Sequence, residues 1–238
     1  MRGGKHISVV IPALNEREAI PKVLSDIPDW VDAVIVADNG SSDGTGDIAE
    51  AHDALVVQEP ERGYGAACLA GIAACGQSDI IVFLDGDYSD HPEELGSLVD
   101  PIVSGTHELV IGSRVAGGAE KGALTIQQRF GNWLACKLMN GLWHTCYTDL
   151  GPFRAIDAQA LRRLSMQDRN YGWTVEMQIK AALMGLKARE VPVSYRPRIG
   201  VSKISGTLKG TVLAGTKILG LIGRYALWPR WAKQAADK

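Results

Sequence analysis

Two carboxylates separated by one glycine, Asp85-Gly86-Asp87, follow directly on the apolar run Ile80-Ile81-Val82-Phe83-Leu84. Five apolar residues, three of them β-branched, read as a buried strand. Ionised carboxylates at the end of such a strand are costly unless a positive charge compensates them. A divalent cation held by oxygen ligands, with a phosphate on its far side, supplies that charge. Asp85 and Asp87 are therefore the expected ligands of a divalent cation. Open α/β sheets bind ligands at this end of their strands. Two more strand ends carry polar residues: Pro12-Ala13-Leu14-Asn15-Glu16, and Ala37-Asp38 running into Asn39-Gly40-Ser41-Ser42-Asp43-Gly44-Thr45. In a parallel sheet all three ends meet, and Asp38 can accept hydrogen bonds from a base or ribose. Taken singly, the Asn-Gly and Asp-Gly steps also read as turn chemistry.

Arginines form a second group. Arg114 follows a strand-like run, Arg129 opens a Trp-rich helix-like segment, and Arg154 follows Gly-Pro-Phe. Each is flanked by apolar residues or glycine, a setting for an anion pocket, since a forked guanidinium matches phosphate bidentately. A solvated surface charge is the alternative for any one of them. Two carboxylates remain, Asp149 and Glu176. Transfer to a hydroxyl needs a general base, whereas an ionised phosphate acceptor needs none. Either residue could be that base, Asp149 could instead orient an arginine, and a structural ion pair accounts equally well for both. The scattered histidines read as non-catalytic, with His91 near enough to Asp85 and Asp87 to be a further ligand.

The elements that must position these groups alternate. Strands are expected at 7–12, 31–38, 54–57, 80–84 and 108–111, with helices at 16–27, 47–52, 64–74 and one opened by Pro92-Glu93-Glu94. Such alternation with short connections predicts a doubly wound, mostly parallel α/β sheet with helices on both faces. The second half departs from it, with a helix over 125–141, a short polar-aromatic segment over 148–155, a helix over 172–184 and an edge strand over 188–195 containing Pro192. One domain over 1–206 is expected, its nucleotide-binding half over about 6–113 and its acceptor half over about 114–206. Residues 207–238 form a helical tail in which Lys209, Lys217 and Arg224 fall on one side and an apolar, Trp-ended face on the other. That pattern suits an interfacial membrane helix or a helix docked on the core or on a second subunit.

Composition removes several classes. Lys and Arg number 25 against 27 Asp and Glu, so no global charge favours nucleic acid. The four cysteines show no zinc spacing and read as core thiols. No stretch reaches the ~18 apolar residues of a membrane span, and Met1 to His6 resembles no signal peptide. A cytoplasmic protein, peripheral on the cytoplasmic face of the membrane, is the expectation. Gly63-Tyr64-Gly65 follows the third strand and has Cys68 where a dinucleotide fingerprint needs its third glycine, and there is no P-loop.

The segments VVIPALNE, VIVADNGSSDGT, RGYGAACLAGIAAC and FLDGDYSDHPEEL resemble the nucleotide-binding half of family 2 glycosyltransferases, which have a GT-A fold. GSR, TDLGPFRAI and EVPVSYRPRIGVSKISG extend the resemblance, over roughly 6–206, to the branch of polyprenyl-phosphate mannose and glucose synthases. The resemblance implies an inverting transfer of a hexose from a nucleoside-diphosphate sugar to a lipid-linked phosphate. Pro12, Ala13, Glu16 and Asp38 would line the nucleoside pocket, and Asp85 and Asp87 would bind the Mg²⁺ or Mn²⁺ that bridges the donor diphosphate. Arg114, Arg129 and Arg154 would hold the acceptor phosphate, while Arg198, Ser202 and Lys203 belong to a loop that closes on the diphosphate. Glu176 falls where many members carry a base. One departure is Ser89, at the position where the related synthases carry a glutamine metal ligand; Ser89, Asp90 or water would complete the shell. Transfer to a hydroxyl, or a catalytically silent nucleotide-binding adaptor, remain as alternatives, and a homo-oligomer is open.

Overall fold

A strand covered on both faces reads as a nearly continuous apolar run, and three segments do so, with one buried serine each in the first and last: β1 (Ile7–Ala13), β4 (Ile80–Phe83) and β5 (Leu109–Ser113). All residues of β4 and β5 are buried. In the computed structural model, which describes residues 1–200 and 208–227 (side chains of the last segment from 213), they are joined by β2 (Ala33–Asp38), β3 (Leu55–Gln58), β6 (Arg154–Asp157) and β7 (Ala188–Pro192). The seven strands form one sheet in the order β3-β2-β1-β4-β6-β5-β7. Every pairing is parallel except the two made by β6, which runs against β4 and β5. The mostly parallel, doubly wound expectation therefore holds, and Pro192 does lie on an edge strand.

Helices cover both faces. On one, α1 (Ile20–Ser25), α2 (Thr45–Glu50) and α4 (Leu95–Val103) pack Ile20, Val23, Ala49, Leu98 and Ile102 against Val9, Ile11, Val82 and Val110. On the other lie α3 (Tyr64–Ala74), α6 (Ile126–Trp143), α7 (Ala158–Leu164), α8 (Trp173–Leu183) and α9 (Leu208–Leu227). They bring Cys68, Met139, Leu161, Trp173 and Tyr225 onto Val10, Phe83, Ile111 and Ile156. Trp173 meets Phe83 edge-on, with ring centroids 5.8 Å apart. A short α5 (Arg114–Gly117) follows β5.

Several expectations are corrected. The first helix is shorter than 16–27, because Pro21, which has no N–H to donate, sits in its first turn. Residues 15–19 form a turn instead, with Asn15 at φ 52° and the Glu16 N–H donated to Thr45 Oγ1. The segment 148–155 runs into β6, and α7 follows; four residues beginning with an arginine carry no usable periodicity. Cys68, Cys75 and Cys136 are buried, but Cys146 is exposed. The described part of the tail is docked rather than free. Ile222 and Tyr225 of α9 are buried in the core, and Lys217 pairs with Asp168 at 3.0 Å. No helix among the described residues is long and apolar enough to cross a membrane.

Candidate functional site

Because β1, β2 and β4 are parallel, their carboxyl ends open on one edge of the sheet, and there a cleft of about 390 Å³ forms. Pro12, Ala13 and Glu16 enter it from β1, Asn39 from β2, Asp85 and Asp87 from β4, and Arg198 from the segment after β7. Six of the residues expected from sequence thus share one cavity. Asp38 stands just behind, its carboxylate accepting from the Ser41 N–H at 2.8 Å and from Gln58 Nε2 at 3.3 Å, so it shapes the loop that presents Asn39. Ser202 and Lys203 lie outside the described residues.

Arg198 closes the cleft across 182 residues of chain. Its Nη2 donates to Glu16 Oε1 at 2.8 Å, and its Nη1 stands 3.1 Å from Asp87 Oδ2. The segment carrying it is clamped onto the turn after β4. Ile199 N donates to the Asp87 carbonyl, Arg196 N to the Ser89 carbonyl, and Arg196 lies over the Tyr88 ring at 3.5 Å. Ser89 is fully buried and donates both its N–H and its hydroxyl to Asp87 Oδ1, so it orients that carboxylate.

Arg198 and Arg114 compensate the acidic cluster only in part. Burial first, and the neighbouring Asp87 second, push Asp85 up to about 7. Asp90, also buried, is raised well above the usual carboxylate range by burial and by Asp85 and Asp87. Asp85 Oδ1 and Asp90 Oδ1 are buried without a hydrogen-bond partner. Unpaired hard oxygens in a site short of cations fit Mg²⁺ or Mn²⁺. Among the described residues, however, no three His, Cys, Asp or Glu side chains stand together as a ligand set. Two protein carboxylates plus oxygens from ligand or water suit Mg²⁺, which commonly binds through one or two carboxylates and substrate phosphates. His91, whose Nδ1 meets Glu93 at 2.9 Å, is not part of such a set.

The acceptor-side residues are arranged differently. Asp149 is fully buried and holds Arg114 through both oxygens, at 2.8 Å to Nε and 2.6 Å to Nη2, and also accepts the Arg114 N–H. Burial alone would lower the Arg114 pKa, but the Asp149 charge outweighs it and keeps the guanidinium protonated. Arg114 lies over the Tyr195 ring, and its charge reaches Asp85 and Asp90. The orienting role for Asp149 fits this geometry and the base role does not.

Arg154 does not line the cleft. It is fully buried and donates to the carbonyls of Leu150, Gly151 and Thr174, while burial lowers its pKa to about 10. Arg129 is exposed in the first turn of α6. Glu176 is buried on α8 and points away from the cleft. It accepts from Gln167 N, Asp168 N and Tyr225 Oη and pairs with Lys180 at 2.8 Å.

The cleft residues without an assigned role in the sequence include Arg62, Tyr64, Asn170 and Tyr171. The first two sit in a glycine-rich motif whose purpose the structure explains. A Cβ on Gly63 or Gly65 would stand 2.0 Å from the carbonyl oxygen of Arg169 or Asp168, so the glycines let the 168–171 loop dock on α3. Asn170 and Tyr171 carried no signal, since only this docking brings them to the cleft.

Comparison with known proteins agrees with this geometry. The family model "Glycosyl transferase family 2" matches residues 8–165. An uncharacterized glycosyltransferase of Mycobacterium tuberculosis is 36% identical over 219 residues, covering 89% of this chain and 95% of that protein. An undecaprenyl-phosphate mannosyltransferase of Micrococcus luteus is 31% identical over 236 residues, covering 92% of this chain and 96% of that protein. Among solved structures, glucosyl-3-phosphoglycerate synthase from Mycobacterium tuberculosis, in complex with Mn²⁺, uridine diphosphate and glucosyl-3-phosphoglycerate, superposes with a TM-score of 0.75 at 26% identity. The match covers 96% of this chain and 81% of that one. With the strand-end carboxylates and the GT-A-like sheet in place, the chain belongs to glycosyl transferase family 2 and is a glycosyltransferase.

Proposed function

We propose that the protein transfers a hexose, with inversion, from a nucleoside-diphosphate sugar to a polyprenyl phosphate. The observation that carries the donor half is the clasp of Arg198 between Glu16 and Asp87 beside the unpaired Asp85 Oδ1. A guanidinium and a carboxylate pair short of cations, both lining one cleft, suit a diphosphate chelated to a divalent ion. Asp85 and Asp87 would hold that ion, which neutralises charge developing on the departing diphosphate. Arg198 exchanges a carboxylate for a phosphate oxygen as the donor enters. Asn39, Arg62 and Tyr171 enclose the nucleoside side.

The acceptor half rests on the engagement of the two carboxylates that the sequence offers as a base. Both oxygens of Asp149 are engaged by Arg114, and Glu176 is enclosed by four partners. A phosphate oxygen, ionised at neutral pH, attacks the anomeric carbon without giving up a proton, as the bond to the diphosphate breaks. Arg114, held by Asp149 and stacked on Tyr195, would bind that phosphate. Relatives named for undecaprenyl-phosphate and dolichyl-phosphate transfer support the same acceptor. A second reading, transfer to a hydroxyl of a phosphorylated small molecule, is favoured by the likeness to the glucosyl-3-phosphoglycerate synthase.

The test has two steps. Thermal shifts with UDP- and GDP-sugars, each with Mg²⁺ or Mn²⁺, identify the donor by stabilisation of the native state. The stabilising donor, radiolabelled, is then offered to undecaprenyl phosphate and to 3-phosphoglycerate, and the anomer formed is read by NMR. Label in the lipid phase with inverted configuration is expected; label only in phosphoglycerate would replace this reading by the second.

A further inference from the structure

Helix α6 is apolar on two sides, and only one is covered. Ala135, Cys136 and Met139 are buried against the sheet. On the other side Ile126 is 83% exposed, Phe130 60% and Trp133 54%, and Leu138 and Leu142 are exposed on the flank between the two sides. Positions 126, 130 and 133 recur at four and three residues, one above another along the helix. Phe130 and Trp133 pair at 5.9 Å between centroids. Helix α9 packs along α6 and adds exposed Leu213 and Leu219. Soluble surfaces carry single apolar residues routinely, but a helix face of this extent marks a docking surface.

Charge indicates what docks there. The chain has 27 acidic residues, yet none falls in 121–148, where Lys121, Arg129 and Lys137 lie, and none in 199–236, where six Lys and Arg lie. The two segments that build α6 and α9 are thus purged of carboxylates in a protein that is otherwise slightly acidic. A second copy of the same face would bring Arg129 and Lys137 against their own counterparts with no carboxylate to receive them. An anionic lipid surface suits every feature: Phe and Trp at headgroup depth, and Lys and Arg extended along the interface.

We propose that the outer face of α6, centred on Ile126, Phe130 and Trp133, docks this enzyme flat on an anionic bilayer. The placement has a consequence for the site. Asn132 of α6 donates to the Thr148 carbonyl and accepts the Leu150 N–H, so it fixes the segment that carries Asp149 and, through it, Arg114. Docking by α6 therefore ties the lipid surface, through Asn132 and the Asp149 segment, to the side chain that holds Arg114. The proposal rests on the lipid-acceptor reading for its purpose, but its test needs neither donor nor acceptor, so each can fail alone.

The experiment is flotation of the full-length protein with vesicles of phosphatidylcholine alone and of phosphatidylcholine with phosphatidylglycerol. Binding to the anionic vesicles, weakened by salt, is expected. Phe130→Ser with Trp133→Ser should lower the partition coefficient at least about tenfold, from the two aromatic side chains withdrawn from the interface. Lys137→Gln should lower it about fivefold and flatten the salt dependence. Both variants should keep the wild-type melting temperature and donor-induced thermal shift, and Ile126→Ser, at the most exposed position, serves if the double variant does not fold. Wild-type protein that ignores anionic vesicles, or variants that bind as well as wild type, would overturn the proposal. So would a wild-type dimer that the aromatic variant converts to a monomer.

Discussion

The two halves of the molecule place their functional side chains by different means. In the first half, up to β5, which the proposed function makes the donor half, the site residues sit at or just after the ends of parallel strands: Glu16 after β1, Asn39 after β2, Asp85 and Asp87 after β4. Parallel pairing alone brings those ends together, so chain position nearly dictates site position. In the acceptor half the groups are placed by pairing across the fold. Arg114 is fixed by Asp149, 35 residues on, and Arg198 by Glu16, 182 residues back. Glu176 is placed by α9 through Tyr225. The antiparallel β6 lies at the join, with Arg154 paired beside both Phe83 and Ile111. A scaffold that repeats can be read from periodicity; a site assembled from buried ion pairs cannot.

The largest effect should come from the donor half. Asp87→Asn is expected to lower turnover about 10³-fold by weakening the group that holds charge on the leaving diphosphate, and to remove the metal-dependent thermal shift with a sugar nucleotide. Asp85→Asn should do the same to turnover yet leave the ligand-free protein no less stable. A carboxyl raised to about 7 in the native state stabilises the fold only while it is protonated. Its contribution is complete below the ordinary carboxylate range and is lost as pH rises through 7. The asparagine variant should therefore show a flatter melting temperature between pH ~4 and ~8 than wild type. An unchanged pH profile would mean that Asp85 is ionised in the native protein and already compensated.

Next come the pairings of the acceptor half. Asp149→Ala leaves the Arg114 guanidinium, 13% exposed, without its bidentate partner. Removing one member of a buried pair costs about 3–5 kcal/mol, measured by urea unfolding. The donor-induced thermal shift should survive in whatever folds, while the acceptor KM rises. A smaller effect is expected of Gly65→Ala. The added Cβ would meet the Asp168 carbonyl oxygen at 2.0 Å and lift the loop that carries Asn170 and Tyr171. About 1–3 kcal/mol of stability should go, with the donor KM rising and the acceptor KM unmoved.

The same contrast explains what the sequence disclosed. The strand run Ile80 to Leu84 with its carboxylates, and the polar ends at Glu16 and Asp38, were legible because burial on both faces writes an unbroken apolar run. Arg198 was legible only through resemblance to a family, since no local pattern announces a residue whose partner lies 182 positions away. Arg154 misled for a physical reason. Gly-Pro-Phe before an arginine looks like an anion pocket, but three main-chain carbonyls turned inward make an equally good home for a guanidinium. The basic tail admitted two readings, and its described part takes the docked one. Lys217 shares a helix side with Arg224 in the sequence, yet it is used against Asp168, while the open apolar face belongs to α6.

Glu176→Gln, the smallest expected effect on turnover, separates the halves most sharply. If Glu176 were the base for a hydroxyl acceptor, its amide would lower turnover about 10²–10⁴-fold. The structure surrounds the carboxylate with the N–H groups of Gln167 and Asp168, the hydroxyl of Tyr225 and the ammonium of Lys180. An amide has one acceptor oxygen where the carboxylate had two; turned to the Gln167 and Asp168 N–H groups, which share Oε2, it leaves the Lys180 ammonium without its carboxylate, at about 1–3 kcal/mol. For a chain of this size that is a melting temperature lower by roughly 2–4 °C per kcal/mol. Turnover per folded molecule should fall less than about tenfold, far below the loss expected of a catalytic base. A hundredfold loss with an unchanged melting temperature would move Glu176 into the chemistry, and with it the acceptor from phosphate to hydroxyl.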